Sequence, residues 1–366
     1  MSQFHSIRLI LGDQLNPQHS WYREKDDGIL YLMAELHQEA VYVKHHIQKL
    51  CGFFAAMADF AQSLKAEGHQ LCYYSLDESA QFDSLSQMIS SLCQLHNVSC
   101  FGYQAPDEYR LSQQMLALDL GSDIKICCYD SEHFLLPKDE IGQYINSGVH
   151  NRMESFYRKM RKRFYVLMEG NQPRGDRWNF DGENRQKLKA ADLAEVPEPL
   201  LFSNDVSAIL ERLERHKIAS IGKGTEQLLW PVNQQQALQL LEFFCRHCLP
   251  NFGRFQDAMT RHGENRWTLY HSRLSFALNS KLLQPMQVIE TAIGYFESGE
   301  PYLKSSHGMA VNFWDGTVHF GLYIWMSYCL ASQRIHTRSA MFWAGSMIGS
   351  CIVYMTGNLT GEYAEH

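Results

Sequence analysis

The sequence predicts an α/β amino-terminal domain built on a doubly wound parallel sheet, followed by an all-α region. Three observations carry this. Short runs rich in β-forming residues alternate with helical patterns over residues 1–132. From Leu136 onward the strand signals fade, and helix-like stretches alternate with polar loops. The composition is that of an ordinary globular chain, with 366 residues, 45% hydrophobic and 20% charged.

The first apolar run is 7–11 (IRLIL), closed by Gly12 and Asp13. Runs at 29–33, 71–75, 99–103 and 124–129 follow, most of them bounded by Gly, Asp, Asn or Pro. Between them, residues 45–66 carry Ile47, Leu50, Phe53, Phe54, Met57, Phe60 and Leu64 three and four apart, which predicts a helix that Gly68 stops. Shorter helical patterns lie at 85–95 and 108–118. Residues 133–189 hold a basic helix (151–164) and a polar linker (170–187), and 190–299 reads as helical, with helices expected at 205–217, 234–252 and 285–298. From about residue 300 to 366 the text is rich in Gly, Met, Ser, Trp and Tyr and shows no clean period.

The net charge of −7 does not point to a nucleic-acid binder, so a DNA-binding face has to be a local basic patch set against an acidic remainder. Ten cysteines are scattered and no signal peptide opens the chain, which predicts reduced thiols and a cytoplasmic protein. Residues 340–361 lack Asp, Glu, Lys and Arg and are long enough to span a bilayer, but their Gly, Ser, Thr and Asn content argues against it. No membrane association and no protein partner are expected. GxGxxG after a strand, a phosphate-loop lysine and a GxSxG elbow are all missing from the sequence.

Each motif that remains has a functional and a bland reading. In LGDQLN (11–16), Asp13 and Gln14 follow the first strand, at the sheet edge where doubly wound domains bind ligands, and can hydrogen-bond a heterocycle or a ribityl chain; otherwise they only turn the chain. Glu35, in MAEL (33–36), stands beside that loop if the two strands are neighbours, or caps the next helix. The basic helix offers Arg158, Lys159, Arg161, Lys162 and Arg163, interleaved with Phe156, Tyr157, Phe164 and Tyr165. That suits a phosphate backbone, or a solvated face with its aromatics turned inward. Trp178 and Phe180 in the linker serve binding or anchor the loop. His271, Ser272 and Arg273 precede an apolar periodic stretch, forming either a pyrophosphate site or an N-capped core helix. Cys245-Arg246-His247-Cys248 lacks a second ligand pair at finger spacing, so it is read as structural, with no metal site.

In series, LILGDQLN, LMAE, the helix start at His45-His46, NRMESFYRKMRKRF, WNFDGENR, FGRFQDAM and LYHSRLSFALN resemble the iron–sulfur bacterial cryptochrome and prokaryotic six-four photolyase family, also described as deoxyribodipyrimidine photolyase-related proteins. The resemblance runs from about residue 5 to about residue 298. It implies a photolyase/cryptochrome-like fold and light-dependent repair of pyrimidine photoproducts in damaged DNA, with the lesion flipped out of the stack. It also implies FAD held near Tyr270, His271, Ser272, Arg273, Leu274 and Asn279, and an antenna pigment, 6,7-dimethyl-8-ribityllumazine, near Asp13, Gln14 and Glu35. The catalytic residues stay unassigned. Family members run longer, with an Ala-Tyr-Ala-His-His type segment and clustered cysteines for a four-iron cluster. Cys329 and Cys351 stand isolated here, so the cluster is expected to be absent and repair weakened or lost. A carboxyl-terminal truncation, or a tail translated out of frame, would account for the change of text from about residue 300. The alternative functional reading is a non-catalytic light-sensing, chromophore-binding module.

Overall fold

The computed structural model describes residues 4–146, 152–178, 186–256 and 258–298. Phe180, Cys329, Cys351 and the whole of 300–366 lie outside the described residues. The chain packs as two units, the first made of Met1–Glu132, Leu201–Ala237 and Phe276–Leu283, the second of the remaining segments.

In the first unit, β1 (Ser6–Leu9), β2 (Ile29–Ala34), β3 (His45–His46), β4 (Leu71–Tyr74), β5 (Cys100–Gln104) and β6 (Lys125–Tyr129) are the first six strands in chain order. All but β3 form one parallel sheet, ordered β4-β2-β1-β5-β6. β2 (ILYLMA) is buried at every position, as a central strand covered on both faces must be. The chain steps outward from β1 to β2 and β4, then returns to lay β5 on the other side of β1. The two carboxyl ends of β1 and β5 therefore diverge into opposite crossovers, which leaves a crevice for a ligand.

Helices α1 (His37–Val41), α2 (Ile47–Ala66), α3 (Leu76–Ser79), α4 (Leu85–His96) and α5 (Tyr109–Leu116) connect these strands. α2 starts where the His46 side chain accepts a hydrogen bond from Gln48 N and ends before Gly68, whose φ of +92° suits glycine. Its apolar face buries Leu50, Phe54, Met57, Phe60, Ala61 and Leu64. Leu85, Met88, Ile89 and Leu92 of α4 pack with Ile7, Leu9, Leu32 and Phe101 of the sheet in one core.

The sequence places residues 190–299 together in the helical part. The structure instead packs 201–237 and 276–283 in the first unit. The physical reason is a set of polar anchors that hydropathy does not register. Arg212, in the helix over Ser207–Arg215, ion-pairs with buried Glu35 at 2.9 Å, Arg215 donates to Asp77 at 2.7 Å, and the indole N–H of Trp230 donates to Gln48 at 3.1 Å.

In the second unit, α6 (Met153–Phe164) buries Phe156, Tyr157 and Met160 against Leu136, Ile141, Val166, Leu167 and Ile289. The helix expected over 234–252 is interrupted. A regular helix over Gln234–Phe243 passes into a wider i→i+5 turn at Phe244–Cys248 and resumes over Leu249–Phe255. The turn buries Cys245 and Cys248, and desolvation pushes both thiols up to about 12, so they stay protonated at neutral pH. Among the described residues no cluster of His, Cys, Asp or Glu could hold a metal ion. The apolar stretch after Arg273 forms only a short helix, Ser275–Asn279, because Lys281 turns the chain with φ +62° before the helix over Pro285–Glu297 begins.

Candidate functional site

A cavity of about 240 Å³ opens in the first unit at the carboxyl ends of β1 and β2. Its walls are apolar: Leu9, Leu11, Leu36, Leu50, Phe53 and Met57 among them. The polar groups are few and clustered, as in sites that orient a flat aromatic guest. Lys49 and His45 come from the start of α2 and the strand before it; Lys49 Nζ lies 3.3 Å from His45 Nδ1 and 5.9 Å from the Phe53 ring. Burial depresses the His45 pKa, helped by Lys49, so the imidazole is neutral and accepts from the ammonium. Burial likewise lowers Lys49, against the pull of Asp13 and Glu39.

Arg110 stands behind the lining residues Glu39, Tyr42 and Glu108. Its guanidinium donates to Glu39 Oε1 at 3.0 Å, lies 3.3 Å from Glu108, and sits 4.4 Å from the centre of the Tyr42 ring. This ties the segment after β2 to the start of α5. Lys281, almost wholly buried, stands behind the lining residues Asp13 and Asp107. Its ammonium donates to the Asp13 carbonyl at 2.9 Å, to Asp13 Oδ2 at 3.2 Å and to Asp107 Oδ2 at 2.7 Å. Desolvation works against the charged lysine, but the two carboxylates outweigh it and hold its pKa above the ordinary lysine value. Burial raises the Asp107 carboxyl, opposed by Lys281.

The three antenna residues expected from the sequence separate here. Asp13 lines the cavity. Gln14 is buried and holds the loop together: its Oε1 accepts from Leu11 N at 2.9 Å and its Nε2 donates to the Gln104 carbonyl at 3.2 Å, joining the ends of β1 and β5. Glu35 is fully buried and accepts from Tyr73 Oη at 2.7 Å, Leu76 N at 2.8 Å and Arg212 at 2.9 Å, so its carboxylate braces β2, β4 and the Ser207–Arg215 helix. Sequence reasoning missed Lys49, Arg110, Asp107 and Lys281. Lys281 left one trace, a charge inside the apolar run FALNSKLLQ, which demands a buried counter-charge. Nothing local tells that this counter-charge stands 174 positions away.

In the second unit, Tyr270, His271, Ser272, Arg273 and Leu274 run as one segment, while Asn279 belongs to the first unit. Tyr270 is buried and donates to the Asp192 carbonyl at 2.9 Å. His271 Nε2 lies 3.3 Å from the Ala258 carbonyl, and Leu274 is buried. Arg273 has a positive φ of 56°, donates to the Leu200 carbonyl at 2.9 Å and sits 5.8 Å from the Trp267 ring centre. Among the described residues no carboxylate pairs with it, and burial lowers its pKa to about 10. A half-buried guanidinium without a carboxylate counter-charge is suited to neutralise a phosphate.

The five cations of α6 also differ among themselves. Arg158, Lys159, Lys162 and Arg163 are exposed. Arg158 pairs with Glu154, and Arg163 pairs with Glu140 and donates to Tyr144 at 2.9 Å. Arg158 and Lys162 lie 5.2 and 5.4 Å from the Trp178 ring centre. Arg161 does not join that surface. It is fully buried and donates to the carbonyls of Val166 (3.2 Å), Leu167 (2.6 Å) and Trp178 (3.1 Å), so it is placed to hold the helix end and not to meet a phosphate.

Residues 8–229 match the family model of deoxyribodipyrimidine photo-lyase-related proteins. The chain belongs to that family. This photolyase-related chain is 30% identical over 369 aligned residues to the (6-4) photolyase of Agrobacterium fabrum, covering 98% of itself and 71% of that relative. Its fold is similar to the crystal structure of a bacterial class III photolyase from Agrobacterium tumefaciens, with a TM-score of 0.51 at 11% identity, covering 90% of this chain and 59% of that one. A second match falls at the other end. Residues 272–366 match the model of the Transmembrane 6 superfamily member 2-like transmembrane domain, and the human Transmembrane 6 superfamily member 2 is 34% identical over 111 residues, 28% of this chain and 29% of that protein. A tail translated out of frame is expected to match no protein family, whereas this tail matches one. The described residues contain no helix long and apolar enough to cross a membrane.

Proposed function

We propose that this photolyase-related protein is a light-driven flavoprotein that repairs pyrimidine photoproducts in DNA and gathers light through a pigment held at the edge of its parallel sheet. The cavity at the carboxyl ends of β1 and β2 carries this reading: apolar walls that can sandwich a flat ring, with Asp13, Lys49, His45 and Asp107 gathered where its heteroatoms would lie. A ribityllumazine is of the right kind, since its ring fits apolar walls and its hydroxyls need hydrogen-bond partners.

The residues of the second unit fit a flavin dinucleotide by charge. Arg273 would neutralise the pyrophosphate, and Tyr270, fixed through Asp192, would keep the segment in shape. A bound, reduced and photoexcited flavin supplies the electron that splits the photoproduct. The chain's own work is to hold the dinucleotide, keep water from it and seat the DNA. Arg158, Lys159, Lys162 and Arg163 beside Trp178 offer cations and a stacking ring for the phosphate backbone. The chain spans 59% of the solved photolyase it resembles, and repair by this chain is the part of the reading that experiment must decide.

A second reading is favoured by the match of residues 272–366 to a transmembrane domain model: the light-responsive unit is attached to a membrane. One experiment addresses both. The full chain is expressed, separated into soluble and membrane fractions, and each is assayed for light-dependent reversal of a (6-4) photoproduct in an oligonucleotide. Repair confined to illuminated samples supports the proposal, and the active fraction decides between a cytoplasmic and a membrane-attached enzyme. Pigmented, folded protein that repairs nothing in light would move the reading to a non-catalytic light sensor.

A further inference from the structure

We infer that Cys100 and Cys127 form a redox-active thiol pair, which a hydroperoxide closes into a cross-strand disulfide at the free edge of the parallel sheet. The pair shares no residue with the proposed pigment cavity or flavin segment and does not depend on either. Cys100 lies on β5 and Cys127 on β6; these strands run parallel, with Cys100 opposite Lys125 and Gly102 opposite Cys127. Residues two apart on a strand share a face, so both thiols stand on one side of the sheet, along a diagonal. Their sulfurs are 3.9 Å apart, with Cys100 donating to Cys127. Forming the bond draws two sulfurs to about 2 Å. β6 ends the strand order and has β5 as its one neighbour in the sheet, so it is the strand free to supply that shift.

The nearby thiols are not equivalent. Burial, and then Cys100, pushes the Cys93 thiol up to about 12, so it stays protonated. Cys128 is exposed, but as the next residue on the strand it points to the opposite face, with its Sγ 3.9 Å from the Tyr129 carbonyl oxygen. Cys100 and Cys127 are half-buried, within reach of a small oxidant. Their hydrogen bond sets the roles. Burial raises the Cys100 pKa and the bond to Cys127 raises it further, against Ser6 and Lys125, so Cys100 keeps its proton and offers it to the Cys127 sulfur. Cys127 is therefore the nucleophile. Its thiolate attacks one oxygen of the hydroperoxide, the O–O bond breaks, Cys127 becomes a sulfenic acid, and the other oxygen leaves with the Cys127 proton as water or an alcohol. The Cys100 sulfur then attacks the sulfenic sulfur, the S–O bond breaks, and the hydroxyl leaves with the Cys100 proton as water. Each sulfur gives up one electron, and the peroxide bond takes both. A dithiol reverses the step by exchange.

The test uses the full-length protein, reduced, freed of reductant and treated while folded with one equivalent of hydrogen peroxide. Remaining thiols are then alkylated and the peptides mapped with and without reduction. The protein is expected to lose about 2 Da, with Cys100 joined to Cys127. Cys128→Ser should leave that link in place, and Cys127→Ser should abolish it. In Cys100→Ser the sulfenic acid on Cys127 has no resolving thiol, so it should persist and be trapped by dimedone as added mass on that residue. Should a serine variant fail to fold, fragmentation of the linked wild-type peptides still locates the bond. Oxidation that falls first on Cys128, a bond from Cys100 to Cys93 in place of Cys127, or a wild-type protein that keeps both Cys100 and Cys127 alkylatable after peroxide would each overturn the pair.

Discussion

Glu35 shows how a single buried charge commits the chain. Desolvation raises its pKa, opposed by Arg212, Tyr73 and Leu76 N. Removing Arg212 leaves a carboxylate in the interior without its counter-ion, and Arg212→Met should cost about 3 kcal/mol at neutral pH. The pH sign follows from linkage. A carboxyl whose folded pKa lies above its unfolded value holds its proton longer in the folded state, so its contribution to stability falls as pH rises between those two values. Without Arg212 the folded value climbs further. The deficit of the variant should therefore be largest at neutral pH and shrink in acid, as read from urea midpoints across a pH series. A deficit independent of pH would mean that Arg212 acts through packing alone. The residue scale was also where the sequence was least legible. Asp13 could be picked out because it follows a strand directly, but the partners that define its role, Asp107 and Lys281, are distant in the chain and are brought together only by the fold.

Among the elements, α6 divides its charges between two tasks that its sequence does not separate. Helical position alone does not reveal that Arg161 turns inward while Lys159 and Lys162 face solvent. The buried guanidinium satisfies carbonyls at the helix end, where Tyr165 adopts a left-handed C-cap conformation. Arg161→Met should therefore cost about 3 kcal/mol of stability, because several buried carbonyls lose their donor. It should leave the slope of log binding constant against log salt for DNA unchanged in the fraction that folds. Lys159→Ala and Lys162→Ala should do the reverse, lowering that slope by about 0.9 for each phosphate of duplex DNA that is no longer neutralised. Equal slopes for all three variants would remove this helix from the DNA interface. The regular elements themselves were readable: the parallel strands and α2 followed from period and punctuation. The interrupted helix around Cys245–Cys248 and the early turn at Lys281 were not; at Lys281 the ion pairs with Asp13 and Asp107 override the local period.

Over the whole molecule, a photolyase-related sheet domain is joined to a carboxyl-terminal part that matches a different family. Discontinuous segments build the first unit: residues 276–283 supply Lys281 to a site whose other members lie near the amino terminus. Pigment binding at the proposed site would thus report on the fold of the first unit, because the segments that build it are distant in the chain. We propose that this chain holds a flavin in its second unit and a second pigment in its first. An absorbance spectrum of the purified full-length protein, taken before and after denaturation and followed by identification of what is released, tests it most directly. The expected result is a coloured protein that releases FAD together with a smaller ribityl heterocycle. A well-folded preparation that is colourless, and stays so when both compounds are supplied, would contradict it.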